Sequence, residues 1–273
     1  MRDLARRHPV ATYVGLAWAI SWACWLPLVV TGSVVDQGDP WPTDLVGLTG
    51  PAIAAAVTLA LTGGRPALRP WAARIVRWRC PWWAWACVVG ILALGLGAVW
   101  MREGSPFPPG VSSYTGAPDA GFVLTFLLIA VVNGLGEEAG WRGYLADRLL
   151  PRHGLLRTAT YVAAAWAVWH WPLFLVVDSF RGLGVAVVGW LLGLYAGSIV
   201  LTWLYAAGGR SVLLVALWHT AYNFTSATAV TDGLPAALTS TGVMVAAVAI
   251  VVHELRRPAH ETTPDRPAEA VRP

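Results

Sequence analysis

Charge is scarce in this chain. Only 12% of its 273 residues are Asp, Glu, Lys or Arg, about half the share of an average soluble domain. With 56% hydrophobic residues and a mean hydropathy of +0.57, that deficit excludes an ordinary soluble fold and indicates an integral membrane protein. Lysine is absent, all 19 basic residues being arginine, a bias that carries no functional argument. The three cysteines (Cys24, Cys80, Cys87) are odd in number and lack paired spacing, which excludes a disulfide framework and a cysteine-based zinc motif. They read as small apolar residues. There is no HExxH sequence, no internal repeat and no feature calling for a nucleic-acid partner. A cleaved leader is not expected either. Residues 9–31 are apolar over a longer stretch than a signal core, contain Pro27 and have no small-residue cleavage site after them, so they read as a retained first span.

What is abundant is long apolar sequence. Eight spans fit, at about 9–31, 43–62, 82–101, 120–145, 158–177, 183–206, 211–229 and 235–253, each near the ~20 residues that cross a bilayer as helix. The expectation is therefore an all-α, polytopic membrane helical bundle. Residues 1–253 would form one integral-membrane domain, and the polar, proline-bearing stretch 254–273 a disordered cytoplasmic tail. Arginine placement tests this topology. Sixteen arginines fall in segments on one side and two, Arg102 and Arg181, on the other, while Arg142 lies within a span. The bias puts both termini in the cytoplasm. Residues 66–80, PALRPWAARIVRWRC, are too basic to span. They read as an amphipathic helix lying in the headgroups or as a solvated basic loop.

A few polar residues interrupt the spans. Glu137 and Glu138 lie near the end of the fourth span, followed by Arg142. A carboxylate at membrane depth costs about 2.5–3.5 kcal/mol on insertion scales, so it requires a partner or a function. Glu138 and Arg142 are spaced i,i+4 and share a helix face, which makes them a structural pair. Glu137 is turned about 100° away, has no evident local partner and is left free for another helix. His170 lies in the fifth span, four residues after Trp166 and two before Pro172, which should break the helix. His219 and Asn223 sit i,i+4 in the seventh. At 1.5 Å per residue Glu137, His170, His219 and Asn223 lie about 12–18 Å from the cytoplasmic ends of their spans, so three helices deliver polar groups to one layer. Gly134, Gly136, Gly140 and Gly143 around the acids permit close helix approach. His153, His253 and His260 lie near surfaces or in the tail and carry no role.

Such a set suits hydrolysis. A carboxylate and an imidazole can activate water as a general-base pair. A second imidazole and a carboxamide can donate to the oxyanion of a tetrahedral intermediate. Glu137, His170 and His219 could instead be three zinc ligands with an open position for water. No cofactor is favoured, and zinc stands as the alternative. Buried Glu and His also build proton relays, so a proton-coupled transporter remains a competing reading.

Three motifs occur in order. GEEAGWRGYL at 136–145, WAVWH at 166–170 and HTAYN at 219–223 resemble the EExxxR, FxxxH and HxxxN motifs of the CAAX-protease and bacteriocin-processing (CPBP, or Abi) intramembrane endopeptidases, relatives of the Ras-converting prenyl protease. The resemblance covers about residues 120–225, and Trp166 stands where the family usually has Phe. It implies an eight-helix endopeptidase in which Glu137 and His170 activate the attacking water and His219 and Asn223 stabilise the oxyanion. Glu138, Arg142 and Trp166 would support the site. It also implies a peptide or protein substrate with a membrane-associated segment, in contact with lipid. A non-catalytic immunity or scaffold member of the same fold is a further alternative.

Overall fold

The computed structural model describes residues 2–39 and 43–257. The tail beyond residue 257, His260 included, lies outside the described residues. The preceding stretch is helical through Arg256.

Capping residues set where most helices begin and end. Helix α1 (Pro9–Thr31) has proline in its first turn and closes on Gly32 in the left-handed conformation, the usual asymmetry of proline at the start and glycine just past the end. Pro27 is accommodated within it. Helix α2 (Gly50–Ile75) is broken at Gly64 (φ 61°, ψ −150°), a conformation that only glycine adopts readily. Helix α3 (Trp82–Glu103) again ends on a left-handed glycine, Gly104. A long helical stretch follows. It comprises α4 (Phe122–Ile129), a π-helical segment (Ala130–Leu135), α5 (Gly136–Gly140), a second π segment (Trp141–Ala146) and α6 (Asp147–Trp169). Gly154 (φ 67°) breaks α6 near its start. The break anticipated around Pro172 is present: α6 stops at Trp169, His170 caps it, and a short helix, Leu173–Val176, follows. Helices α7 (Val187–Ala207), α8 (Val212–Ser226) and α9 (Leu234–Arg256) complete the bundle. Among the described residues the only β pairing is three isolated bridges.

The protein is thus an all-α bundle and an integral, multi-pass membrane protein. Among the described residues six helical segments are long and apolar enough to cross a membrane, against about eight expected spans. One of them, Phe122–Val176, is 55 residues long and contains two of the expected spans, 120–145 and 158–177, with the break at Gly154 between them. The other shortfall is α8. Its 15 residues make about 22 Å of helix, below the ~30 Å hydrocarbon thickness.

Polar contacts sort the connections into two ends. At one, Arg74 and Arg210 both pair with Asp147, at 3.1 and 3.2 Å. There Arg77 also donates to the Gly209 carbonyl at 2.9 Å. At the other, the connections 33–39, 110–117 and 228–231 meet through the bridges Gln37–Thr115 and Tyr114–Thr228. The first end gathers segments that the arginine count had grouped together. The basic segment 66–80 is helical through Ile75 and is docked on the bundle: Trp71 is buried and donates its indole N–H to the Ala139 carbonyl at 2.9 Å.

Tight packing surrounds α5. A methyl group added at Gly136 would lie 2.8 Å from the Leu48 carbonyl oxygen, and one at Gly134 would lie 2.5 Å from Thr220 Oγ1 on α8. These approaches bring α8 and the start of α2 against the acid-bearing turn, as the glycine spacing anticipates.

Candidate active site

The π segments flank the two acids on both sides. A π turn shifts the phase of the residues after it, and such segments occur mostly at functional sites. Here they bracket α5, whose five residues, including Glu137 and Glu138, are all buried.

Glu138 behaves as the spacing suggested and does more besides. Arg142 Nη1 donates to its Oε1 at 2.9 Å, with both side chains inaccessible to solvent. His219 Nδ1 reaches the same oxygen from α8, also at 2.9 Å. The Arg142 guanidinium lies over the Trp166 ring, 4.9 Å from its centroid, a cation–π contact. A carboxylate, a guanidinium and an imidazole from two helices therefore form one buried cluster.

Glu137 corrects an expectation. It is not free of local partners: Asn133, four residues earlier on the same face, donates its amide N–H to Oε1 at 2.7 Å. The other oxygen takes the Trp166 indole N–H at 2.6 Å. The i,i+4 relation that joins Glu138 to Arg142 thus also joins Asn133 to Glu137. Asn223 Nδ2 in turn donates to Asn133 Oδ1 at 2.8 Å. The direction of this chain follows from its end. An ionised carboxylate only accepts, so the Asn133 NH2 must face Glu137, and its oxygen is left to accept from Asn223. Helix α8 consequently meets the acid helix in two rungs, Asn223 on Asn133 and His219 on Glu138.

His170 connects to this cluster through Trp166. Its Nδ1 lies 2.8 Å from the Trp166 carbonyl oxygen. A carbonyl only accepts, so Nδ1 carries the proton, and a neutral ring presents its lone pair at Nε2. Aromatic rings surround the imidazole, with Trp169, Trp190 and Trp166 centroids at 4.9, 5.2 and 5.5 Å. Trp166 also meets the His219 ring edge-on at 5.4 Å. It touches Glu137, Arg142, His170 and His219, and so sits at the centre of the site.

Each residue singled out in the sequence is accounted for. Glu137, Glu138, Arg142, Trp166, His219 and Asn223 come together directly, and His170 joins them across Trp166. The glutamate and the two histidines do not form a zinc ligand set as arranged. Among the described residues no three His, Cys, Asp or Glu side chains are placed to hold a metal ion.

Two neighbours escaped the sequence reading. Asn133 was detectable, since it stands one helical turn before Glu137. Tyr114 was not, because it comes from the connection between α3 and α4. It is buried and stacks on Phe224 at 5.4 Å, beside Asn223. Its phenol is pushed above the usual tyrosine range by burial, then by the Asp44 and Glu137 carboxylates, while a hydrogen bond with Asn223 acts the other way.

Comparison with known proteins shows what the site-bearing segment is similar to. Residues 119–225 match the family model described as type II CAAX prenyl endopeptidase Rce1-like. The CAAX prenyl protease 2 of Methanococcus maripaludis is 30% identical over 106 residues, covering 37% of this chain and 38% of that protein. The match therefore spans well under half of the relative's length. The segment carrying all three motifs is thus similar to the Rce1-like endopeptidases.

Proposed function

We propose that this protein is an intramembrane endopeptidase that hydrolyses a peptide bond by glutamate-activated water. Both termini and the nearer face of the site would lie on the cytoplasmic side. The observation that carries this reading is the fixed Glu137 carboxylate. Its two oxygens are aimed by Asn133 and Trp166 N–H groups, yet each keeps a second lone pair for water.

Glu137 takes a proton from water as the oxygen attacks the substrate carbonyl, with His170 Nε2 accepting the second water hydrogen bond. The carbonyl π electrons move onto oxygen and form a tetrahedral oxyanion. Asn223 retains one amide N–H after donating to Asn133 and turns it to that oxyanion. His219, held at Nδ1 by Glu138, donates from Nε2 in its protonated form. The tetrahedral intermediate then collapses. The C–N bond breaks, and the proton held on Glu137 passes to the leaving amine. Glu138 and Arg142 fix His219 and Trp166 but take no part in the proton transfers.

The name of the archaeal relative makes a C-terminal CAAX peptide the first substrate to test, in prenylated and unprenylated forms. In nanodiscs, Glu137→Gln should lower turnover at least 100-fold, the range of general-base contributions, with folding unchanged. Wild-type turnover in the glutamine variant would refute the assignment. Metal analysis and cleavage in the presence of a chelator separate the water mechanism from zinc: loss of activity on chelation, restored by zinc, would overturn the former.

A further inference from the structure

The arginine segment that follows Gly64 is attached to two of the three motif-bearing stretches that build the site. Trp71 is clipped to the Ala139 carbonyl, one residue beyond Glu138. Arg74 donates to the Gly143 carbonyl at 3.3 Å and pairs with Asp147. At the end of the segment, the Arg77 carbonyl accepts from the Ser211 hydroxyl, and that same Ser211 oxygen caps α8 by accepting from the Leu214 N–H at 3.1 Å. One short stretch thus holds the acid turn on one side and the start of the His219 helix on the other.

Its opposite face is different. Arg65, Arg69 and Arg79 are exposed, and none of them takes part in an ion pair among the described residues. Beside them Val76 and Trp78 are 69% and 65% exposed. Unpaired guanidinium groups interleaved with exposed apolar side chains suit an interface where anionic headgroups lie just above hydrocarbon.

We propose that this segment is a docking surface for anionic phospholipid headgroups, and that its occupation sets the geometry of the site through the Trp71 and Arg77 attachments. The lipid surface stands on charge and exposure alone. The regulatory half rests on the endopeptidase reading above. The occupant is the bilayer itself, since the surface belongs to a chain already embedded in it and needs no soluble partner to bring the charge.

The test uses the full chain in nanodiscs of phosphatidylcholine, alone or with a quarter phosphatidylglycerol, followed by hydrogen exchange and peptide cleavage. Anionic discs should slow amide exchange in residues 65–80 and in 136–146, and raise cleavage several-fold. Inorganic phosphate added to neutral discs should do neither. Each basic residue near a charged surface strengthens its attraction about fivefold. Removing three, as R65Q/R69Q/R79Q, should therefore weaken the attraction to anionic lipid about 100-fold and abolish the difference between the two discs while leaving the buried attachments intact. Trp71→Phe keeps the arginines and removes the clip, so protection should persist at 65–80 and be lost at 136–146. Equal exchange of residues 65–80 in the two discs, or a full response in the triple variant, would overturn the lipid surface. Protection at 65–80 that never reaches 136–146 in the wild type would overturn the coupling. Lipid-dependent protection without cleavage in any disc would count against the endopeptidase reading and leave the docking surface standing.

Discussion

Arg142 and Asn133 illustrate two ways in which one side chain can matter here, and they should fail differently. Arg142 neutralises a fully buried carboxylate, and removing one partner of such a pair costs about 3–5 kcal/mol. Arg142→Leu should therefore lower the thermal midpoint in detergent by many degrees, with activity lost through unfolding. Asn133 bridges Glu137 and Asn223. Asn133→Ala removes a hydrogen bond to a charged group, worth about 1.5–3 kcal/mol, and frees both ends of the relay. Its kcat should fall more than tenfold with little change in KM, at a modest cost in stability. Parallel melting curves and steady-state kinetics on the two variants check this contrast, and equal stability losses would contradict it. The Glu138–Arg142 pair was legible because helical spacing alone predicts it. Asn133 obeyed the same rule, but a neutral amide raises no alarm in an apolar run. Tyr114 and the pairing of His219 with Glu138 depend on how distant segments meet, and no local pattern encodes that.

At the scale of elements, the sequence marked where most helices lie but not how the acid helix is wound. The glycine at 64 and the proline at 172 stand where breaks occur, and proline or glycine caps mark the starts and ends of α1 and α3. The two π segments carry no such marker, since they arise from how the stretch 122–169 packs. Gly136 shows the constraint. Its missing side chain lets the turn bearing Glu137 lie on the Leu48 carbonyl, and the backbone oxygen there cannot swing aside. Gly136→Ala should push α5 off the start of α2, which destabilises the fold by about 1–3 kcal/mol as overpacking does and displaces the Glu137 carboxylate from Trp166. Cleavage should fall further than the melting point alone would explain. An alanine variant with unchanged melting and turnover would show that the contact yields.

For the whole molecule, hydropathy gave the class and arginine counting grouped the loops into the two ends found in the structure. The expected spans 120–145 and 158–177 lie in one helical run divided at Gly154, while α8 is shorter than the stretch 211–229 that hydropathy marks. That shortness has a physical consequence. A helix about 22 Å long, anchored at one end by Ser211 and carrying His219 and Asn223, cannot match a hydrocarbon slab of ~30 Å. Mismatch of this kind is relieved by tilting, by thinning the surrounding lipid or by drawing water inward. Acyl-chain length should therefore tune the proposed activity: turnover in nanodiscs of 14-carbon lipids is expected to exceed that in 20-carbon lipids, and a flat profile would argue against it. By this account, the short α8, enclosed by its neighbours, lets water reach the layer of His219 and Asn223, and a peptide bond would be hydrolysed there without having to leave the membrane.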